Sequence, residues 1–156
     1  MHLRLLAVGD RQPRWVDDAF SIYTDRLPRE WAFRLDALPT ARRGKSNSAT
    51  RAVEDEGTRL LERLGRDEQL VLLDERGRSM SSRKLKEKLD GWQSSGRDLA
   101  FVIGGPDGVS ASVRQRADFV WSLSELTLPH GMARVLLIEQ LYRAWTLSTG
   151  HPYHRQ

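Results

Sequence analysis

Cysteine is absent from the chain. That excludes disulfide staples and thiolate metal sites, and it suits a reducing compartment. Long hydrophobic runs are missing as well. The opening MHLRLLAVGD has only a short apolar stretch with a charge inside it. It does not read as a secretory signal, and nothing approaches the roughly 18 consecutive apolar residues of a membrane span. The expectation is a cytoplasmic protein with no membrane partner. Neither the G-x-G-x-x-G nor the Walker spacing occurs, so those nucleotide-binding motifs do not apply. Internal repeats, low-complexity tracts and long linkers are also missing. One domain spanning 1–156 is the expectation. One further absence is local. No acidic residue lies between Asp36 and Glu54, while Arg42, Arg43, Lys45 and Arg51 do. Those four charges equal the formal net charge of +4.

What is present reads as alternating strand and helix. With 39% hydrophobic residues the chain can build a real core without staples. Apolar runs at 3–9, 31–38, 69–74, 99–105 and 118–124 read as strands. Between them, Val16, Ala19, Phe20, Tyr23 and Leu27 repeat at helical spacing after Pro13, and Pro28 ends that helix. A second helix begins near Ser48, with Leu60, Leu61 and Leu64 on one face and Gly65 past its end. Ser82 caps a third, striped by Leu85, Leu89 and Trp92. Residues 75–81 read as a loop, and 106–117 as a turn with a short helix. The last helix covers about 132–148. The strands are continuously apolar, which predicts an α/β fold with a mostly parallel sheet and helices on both faces. The last helix is apolar almost all round. It is either fully buried or packed against a partner, and a dimer contact is the expectation.

Four stretches could carry chemistry, and each has a plainer reading. FVIGGPDGVS (101–110) is a strand running into a Gly-rich turn. It is either a strand end or a place where a ligand meets backbone. LSELTLP (123–129) is either another short strand or a loop whose leucines enclose a flat heterocycle. HPYHRQ (151–156) is either a frayed terminus or a substrate-facing tail, with Tyr153 to stack on a base and Arg155 to meet a phosphate. His151 and His154 make a poor metal pair, with no carboxylate beside them. TARRGKSNSATR (40–51) is either a solvated loop or a contact for an RNA backbone.

Taken together, IGGPDG, WSLSELTLPHGMARVLLIEQLYRAW and HPYH resemble the small SPOUT-superfamily methyltransferases that act on pseudouridine in large-subunit ribosomal RNA. The resemblance runs along the whole chain, from LRLLAVG through GWQSSGRDLAFVIGGP. It implies an α/β domain with a C-terminal trefoil knot, a rare topology that no periodicity predicted. It implies binding of S-adenosylmethionine, without a metal, and a homodimer held mainly by the C-terminal helix. On the same resemblance, Leu73 ends a strand at the cofactor and Gly104 and Gly105 form one wall. Leu123, Ser124, Glu125, Leu126, Thr127 and Leu128 form the loop around the adenine and methionine parts.

The implied reaction is methyl transfer to N3 of a pseudouridine. The acceptor must lose a weakly acidic proton, and a neutral histidine is a suitable base near neutral pH. His130 or His154 is expected to handle the proton. Arg143 is expected to contact developing negative charge, and Tyr153 to position the base. Arg42, Arg43, Lys45, Arg51, Arg134 and Arg155 are the expected RNA contacts. Large-subunit ribosomal RNA in the ribosome is the partner, not DNA. Two alternatives stay open: a ribosome-associated RNA-binding module of the same fold without catalysis, and a different nucleotide-binding α/β enzyme.

Overall fold

The computed structural model describes residues 1–155; Gln156, the last residue of the tail considered above, lies outside them. The elements are β1 (Leu3–Val8), α1 (Arg14–Thr24), β2 (Arg34–Leu38), α2 (Ala49–Arg63), β3 (Gln69–Ser79), α3 (Ser82–Ser95), β4 (Leu99–Ile103), α4 (Ala111–Arg116), β5 (Phe119–Ser122) and α5 (His130–Thr149). The strands form one sheet in the order β2-β1-β4-β3-β5, with every pairing parallel.

Successive strand side chains point to opposite faces, and both faces here are covered. Leu5, Val71 and Phe101 pack with Phe20 of α1, Leu89 of α3 and Leu137 of α5. Leu6, Leu72 and Val102 pack on the other face with Leu60 of α2 and Val113 of α4. The expected fold class, helices on both sides of a parallel sheet, is therefore borne out. It explains why β1 and β4 are buried at every position: such strands have no solvent face. The one cation inside β1, Arg4, is 8% exposed. Its guanidinium donates to Glu68 at 2.6 and 2.8 Å and to Asp36 at 2.8 Å. This paired charge sits at the amino end of the sheet.

Several boundaries differ from expectation. Helix α1 stops at Thr24, short of Pro28, and Arg29–Trp31 is a 3-10 turn rather than the start of β2. Ser81, not Ser82, caps α3: its hydroxyl accepts from Lys84 N at 3.2 Å. The larger difference is β3, which continues through the polar residues 75–79 that read as a loop. After Leu73 the register with β5 shifts, and Arg78 and Ser79 pair again with Trp121 and Ser122. Gly77 permits this irregularity, because a Cβ there would lie 2.7 Å from the backbone of Val120 and Trp121. A bulge lets a strand bend and carry on pairing where its side chains no longer alternate into a core.

Candidate active site

Loops following β1, β4 and β5, together with residues 73–76 of β3, line a cavity of about 930 Å³ at the carboxyl edge of the sheet. Open parallel sheets bind ligands at this edge, and the volume suits a nucleoside-sized molecule. Leu73 stands at the wall given by β3, and Gly104 and Gly105 at the wall given by β4. Residues 123–128 close a third side, and they do so as a loop rather than as a short strand. Leu123, Ser124, Leu126, Thr127 and Leu128 all line the cavity; Glu125 is exposed and does not.

The loop is pinned by its own polar residues. Ser122 donates to the carbonyl of Ser124 at 2.8 Å, and the Ser124 hydroxyl accepts from Leu126 N at 2.9 Å. Thr127 reaches Glu75 at 3.3 Å. These bonds use up side chains that would otherwise compete for a ligand, and they hold the backbone in one shape. Leu126 is 73% exposed at the rim, so an apolar edge faces outward where a ligand would cover it. Sequence reading missed two wall segments. Gly9, Asp10 and Gln12 come from the turn after β1, and Asp74 and Arg76 follow Leu73. The signal for the first was Gly9 closing a buried strand. The second was hidden by its loop-like composition. Asp74 stays ionised: burial opposes its charge, but the Arg76 backbone N–H and the Arg114 guanidinium outweigh that and lower its pKa.

His130 lines the cavity at the first residue of α5. Its Nε2 accepts from Arg134 Nε at 2.8 Å. Burial, then the neighbouring Arg134 charge, lower its pKa to about 4, against a smaller opposing pull from the Gly104 backbone. The imidazole is therefore neutral at physiological pH, with its acceptor nitrogen held by Arg134. Arg134 itself departs from its expected RNA contact. It is 2% exposed and turned inward, where it also donates to the carbonyl of Gly9. A guanidinium so enclosed holds the β1 turn and α5 together and cannot meet a phosphate. Gly131 allows the close packing behind it, since a Cβ there would lie 2.7 Å from Val16.

The other candidates gather elsewhere. Arg143 donates to Glu139 Oε1 from Nε at 2.9 Å and from Nη2 at 2.7 Å. The Tyr153 hydroxyl lies 3.0 Å from the same oxygen and 3.3 Å from the Tyr23 hydroxyl. The Arg143 guanidinium also sits 5.1 Å from the centre of the Tyr153 ring. Burial, then these two hydrogen bonds, push the Tyr153 phenol well above its ordinary range. The tail is thus packed rather than frayed: Pro152–Arg155 forms a 3-10 turn, and the Tyr153 ring packs at a tilt against Tyr142, with ring centres 4.6 Å apart. His154 is half-buried, and its Nδ1 has no partner within the described residues. None of Arg143, Tyr153 or His154 lines the cavity of this chain. Thirteen helical steps separate His130 from Arg143, about 20 Å at 1.5 Å per step. Glu139, on which this cluster is built, had no sequence signal beyond its place one turn before Arg143.

In the basic segment, Arg42 and Lys45 of the loop and Arg51 of the first turn of α2 are exposed, as is Arg155 in the tail. Arg43 is not free. It is paired with Glu56 at 3.0 Å and Asp107 at 2.8 Å. Among the described residues, no three His, Asp or Glu side chains are arranged to hold a metal ion. No helix among them is long and apolar enough to cross a membrane.

Comparison with known proteins places this geometry in a family. Residues 1–154 match the family described as "Predicted SPOUT methyltransferase". A ribosomal RNA large subunit methyltransferase H from Thioalkalivibrio sulfidiphilus is 51% identical over 156 residues, covering 100% of both chains. The methyltransferase H of Laribacter hongkongensis is 47% identical over 156 residues, again covering 100% of both. Among solved structures, a probable methylase family protein from Haemophilus influenzae superposes with a TM-score of 0.61 at 13% identity, covering 97% of this chain and 69% of that one. That likeness speaks for the fold alone. The resemblance carried by IGGPDG, LSELTLPH and HPYH is borne out along the full length of the sequence: the chain belongs to the SPOUT methyltransferase family, among the large-subunit ribosomal RNA methyltransferases H.

Proposed function

We propose that the chain transfers a methyl group from S-adenosylmethionine to N3 of a pseudouridine in large-subunit ribosomal RNA, as a homodimer acting on ribosomes. The observation that carries this reading is the cavity at the carboxyl edge, walled by Leu123–Leu128 and the Gly104–Gly105 turn, in a chain of this family. The group fits the residues present. Leu73, Ile103, Leu123 and Leu128 offer apolar walls to the adenosyl part, while Asp10 and the backbone of the 123–128 loop stand among them as polar contacts. When bound, S-adenosylmethionine supplies a methyl group already activated on a sulfonium. The chain's own residues do the rest. The leucine loop excludes water, and the neutral His130 keeps a second positive charge away from the donor. Holding donor and acceptor in line supplies the remainder, since good alignment is worth about 7–11 kcal/mol.

Proton removal and anion contact belong, on this reading, to the Glu139–Arg143–Tyr153–His154 cluster. That cluster cannot reach its own cavity, so a second copy must bring it there. Support for a dimer comes from apolar surface: Trp15, Ile22 and Met132 on α1 and α5 are 53%, 52% and 38% exposed. Val135, Leu136, Trp145 and Leu147 on α5 are only half-buried. Arg42, Lys45, Arg51 and Arg155 are free to meet RNA phosphates, which makes binding salt-dependent.

Calorimetry with S-adenosylmethionine, followed by mass spectrometry of ribosomal RNA from cells with and without the gene, tests the activity. Absence of binding heat, or an unchanged pseudouridine mass, would sink it. Mixed dimers test the shared site. His130→Ala chains combined with Arg143→Ala chains should regain methyl transfer, because one of the two composite sites is then intact. A site built within one chain predicts no recovery.

A further inference from the structure

Glu56 on α2 is a carboxylate with 2% exposure, and nothing in the sequence singled it out. Its Oε2 accepts from the Ala41 backbone N–H and from Arg43 Nη1, both at 3.0 Å, and its Oε1 accepts from Arg43 Nη2 at 3.0 Å. Arg43 has two further bonds. Its Nη1 donates to the Ala41 carbonyl at 2.8 Å, and its Nε to Asp107 Oδ2 at 2.8 Å. Glu56 also packs directly behind the cavity wall. A Cβ on Gly105 would lie 2.9 Å from Oε1 and 3.1 Å from Oε2, so only glycine leaves room for the carboxylate. The wall itself is a tight turn, closed by Gly108 N donating to Gly105 O at 3.1 Å. Three segments distant in sequence therefore meet at one guanidinium: the basic loop, α2 and the Gly-rich turn.

We propose that Arg43 and Glu56 are positioning residues for the cofactor: together with Asp107 they lock the 104–108 turn against α2 and so set cofactor affinity, without touching the cofactor themselves. The proposal rests on the reading that S-adenosylmethionine occupies the cavity. The physical reason is the shape of arginine. Its planar fork serves two carboxylates at once, whereas a lysine ammonium is a point charge on a flexible stem. Arg43 is thus turned inward, although it sits among four cations that all read as RNA contacts. The acid-free window divides into an inward brace and three outward charges.

The test is calorimetry with S-adenosylmethionine on the full-length dimer, alongside thermal melting. Arg43→Lys keeps a cation beside buried Glu56, so its melting transition should survive. It loses the fork, and affinity should fall about five- to tenfold, the equivalent of one ordinary hydrogen bond. Asp107→Asn leaves no buried charge unpaired and should weaken binding by a similar factor. In steady state both should raise KM for the cofactor while kcat at saturation holds. The pair Arg42→Ala with Lys45→Ala should leave cofactor affinity unchanged. If Arg43→Lys binds like wild type, or if only one of the two variants is weakened, the bridge between two carboxylates is overturned. Loss of the fold in Arg43→Lys would assign that arginine a structural role and overturn it too. A wild-type protein that gives no binding heat refutes the cofactor reading instead.

Discussion

At the amino end of α5, His130 and Arg134 sit against the cavity, with Arg134 2% exposed and His130 neutral. From the middle of the helix onward, Glu139 gathers Arg143 and the tail's Tyr153 around one carboxylate oxygen. The two regions are built for opposite purposes. The first lies where the helix dipole is positive and no carboxylate is bonded to the guanidinium, so charge on the histidine is disfavoured twice over. The imidazole therefore stays neutral and adds no charge of its own to the cavity wall. The second balances a cation with an anion and keeps a phenol protonated beside them. That suits a group that must accept or stabilise charge on a nucleobase. One helix thus carries two incompatible environments by separating them, and assembly rather than chain folding would reunite them.

Breaking the amino end should cost most. Arg134→Ala leaves the Gly9 carbonyl and His130 Nε2 without their donor, and each buried unsatisfied group costs about 1–3 kcal/mol. A loss of about 2–5 kcal/mol in urea unfolding is expected, with cofactor affinity falling as well. An unaltered midpoint would show that the contact is unimportant. The histidine at the same end gives a pH signature. Its folded pKa of about 4 lies below the ordinary histidine value of 6.5. Below pH 6.5 the unfolded chain therefore takes up a proton that the folded one refuses. Stability should fall as pH drops from about 6.5 to about 4, by at most about 3 kcal/mol. His130→Gln should flatten that part of the curve, and an equal slope in both proteins would contradict the assignment.

The second region should respond differently. Glu139→Gln removes the charge that Arg143 and Tyr153 share. It should cost about 1–2 kcal/mol of stability and leave cofactor affinity intact, while methyl transfer falls at least about tenfold. If cofactor binding fell in step with turnover, the separation of the two regions would be wrong. The smallest structural effect belongs to the outward cations. Arg42→Ala with Lys45→Ala should change stability by less than about 0.5 kcal/mol. Ribosome binding should weaken, and the salt slope should drop by about 1 per cation removed.

The alternation of elements was legible in local sequence, because buried strands and amphipathic helices carry local periods. Ser48 and Ser110 cap α2 and α4 through bonds to residues three positions on, and such local chemistry is visible in any window. Residues 104–105 and 123–128 pointed to the cavity wall only through the family resemblance, and Glu125 among them does not line it. Tertiary structure alone decided three things. β3 runs on through polar residues because β5 and Gly77 offer it a partner across the bulge, a pairing with no local trace. Arg43 and Arg134 turn inward, since Glu56, Asp107 and the Gly9 carbonyl reach them from distant segments. And the candidate catalytic residues fall in two separate groups, because a straight helix holds His130 and Arg143 about 20 Å apart. In each case the deciding partner is remote along the chain, and a pattern confined to neighbours cannot see it.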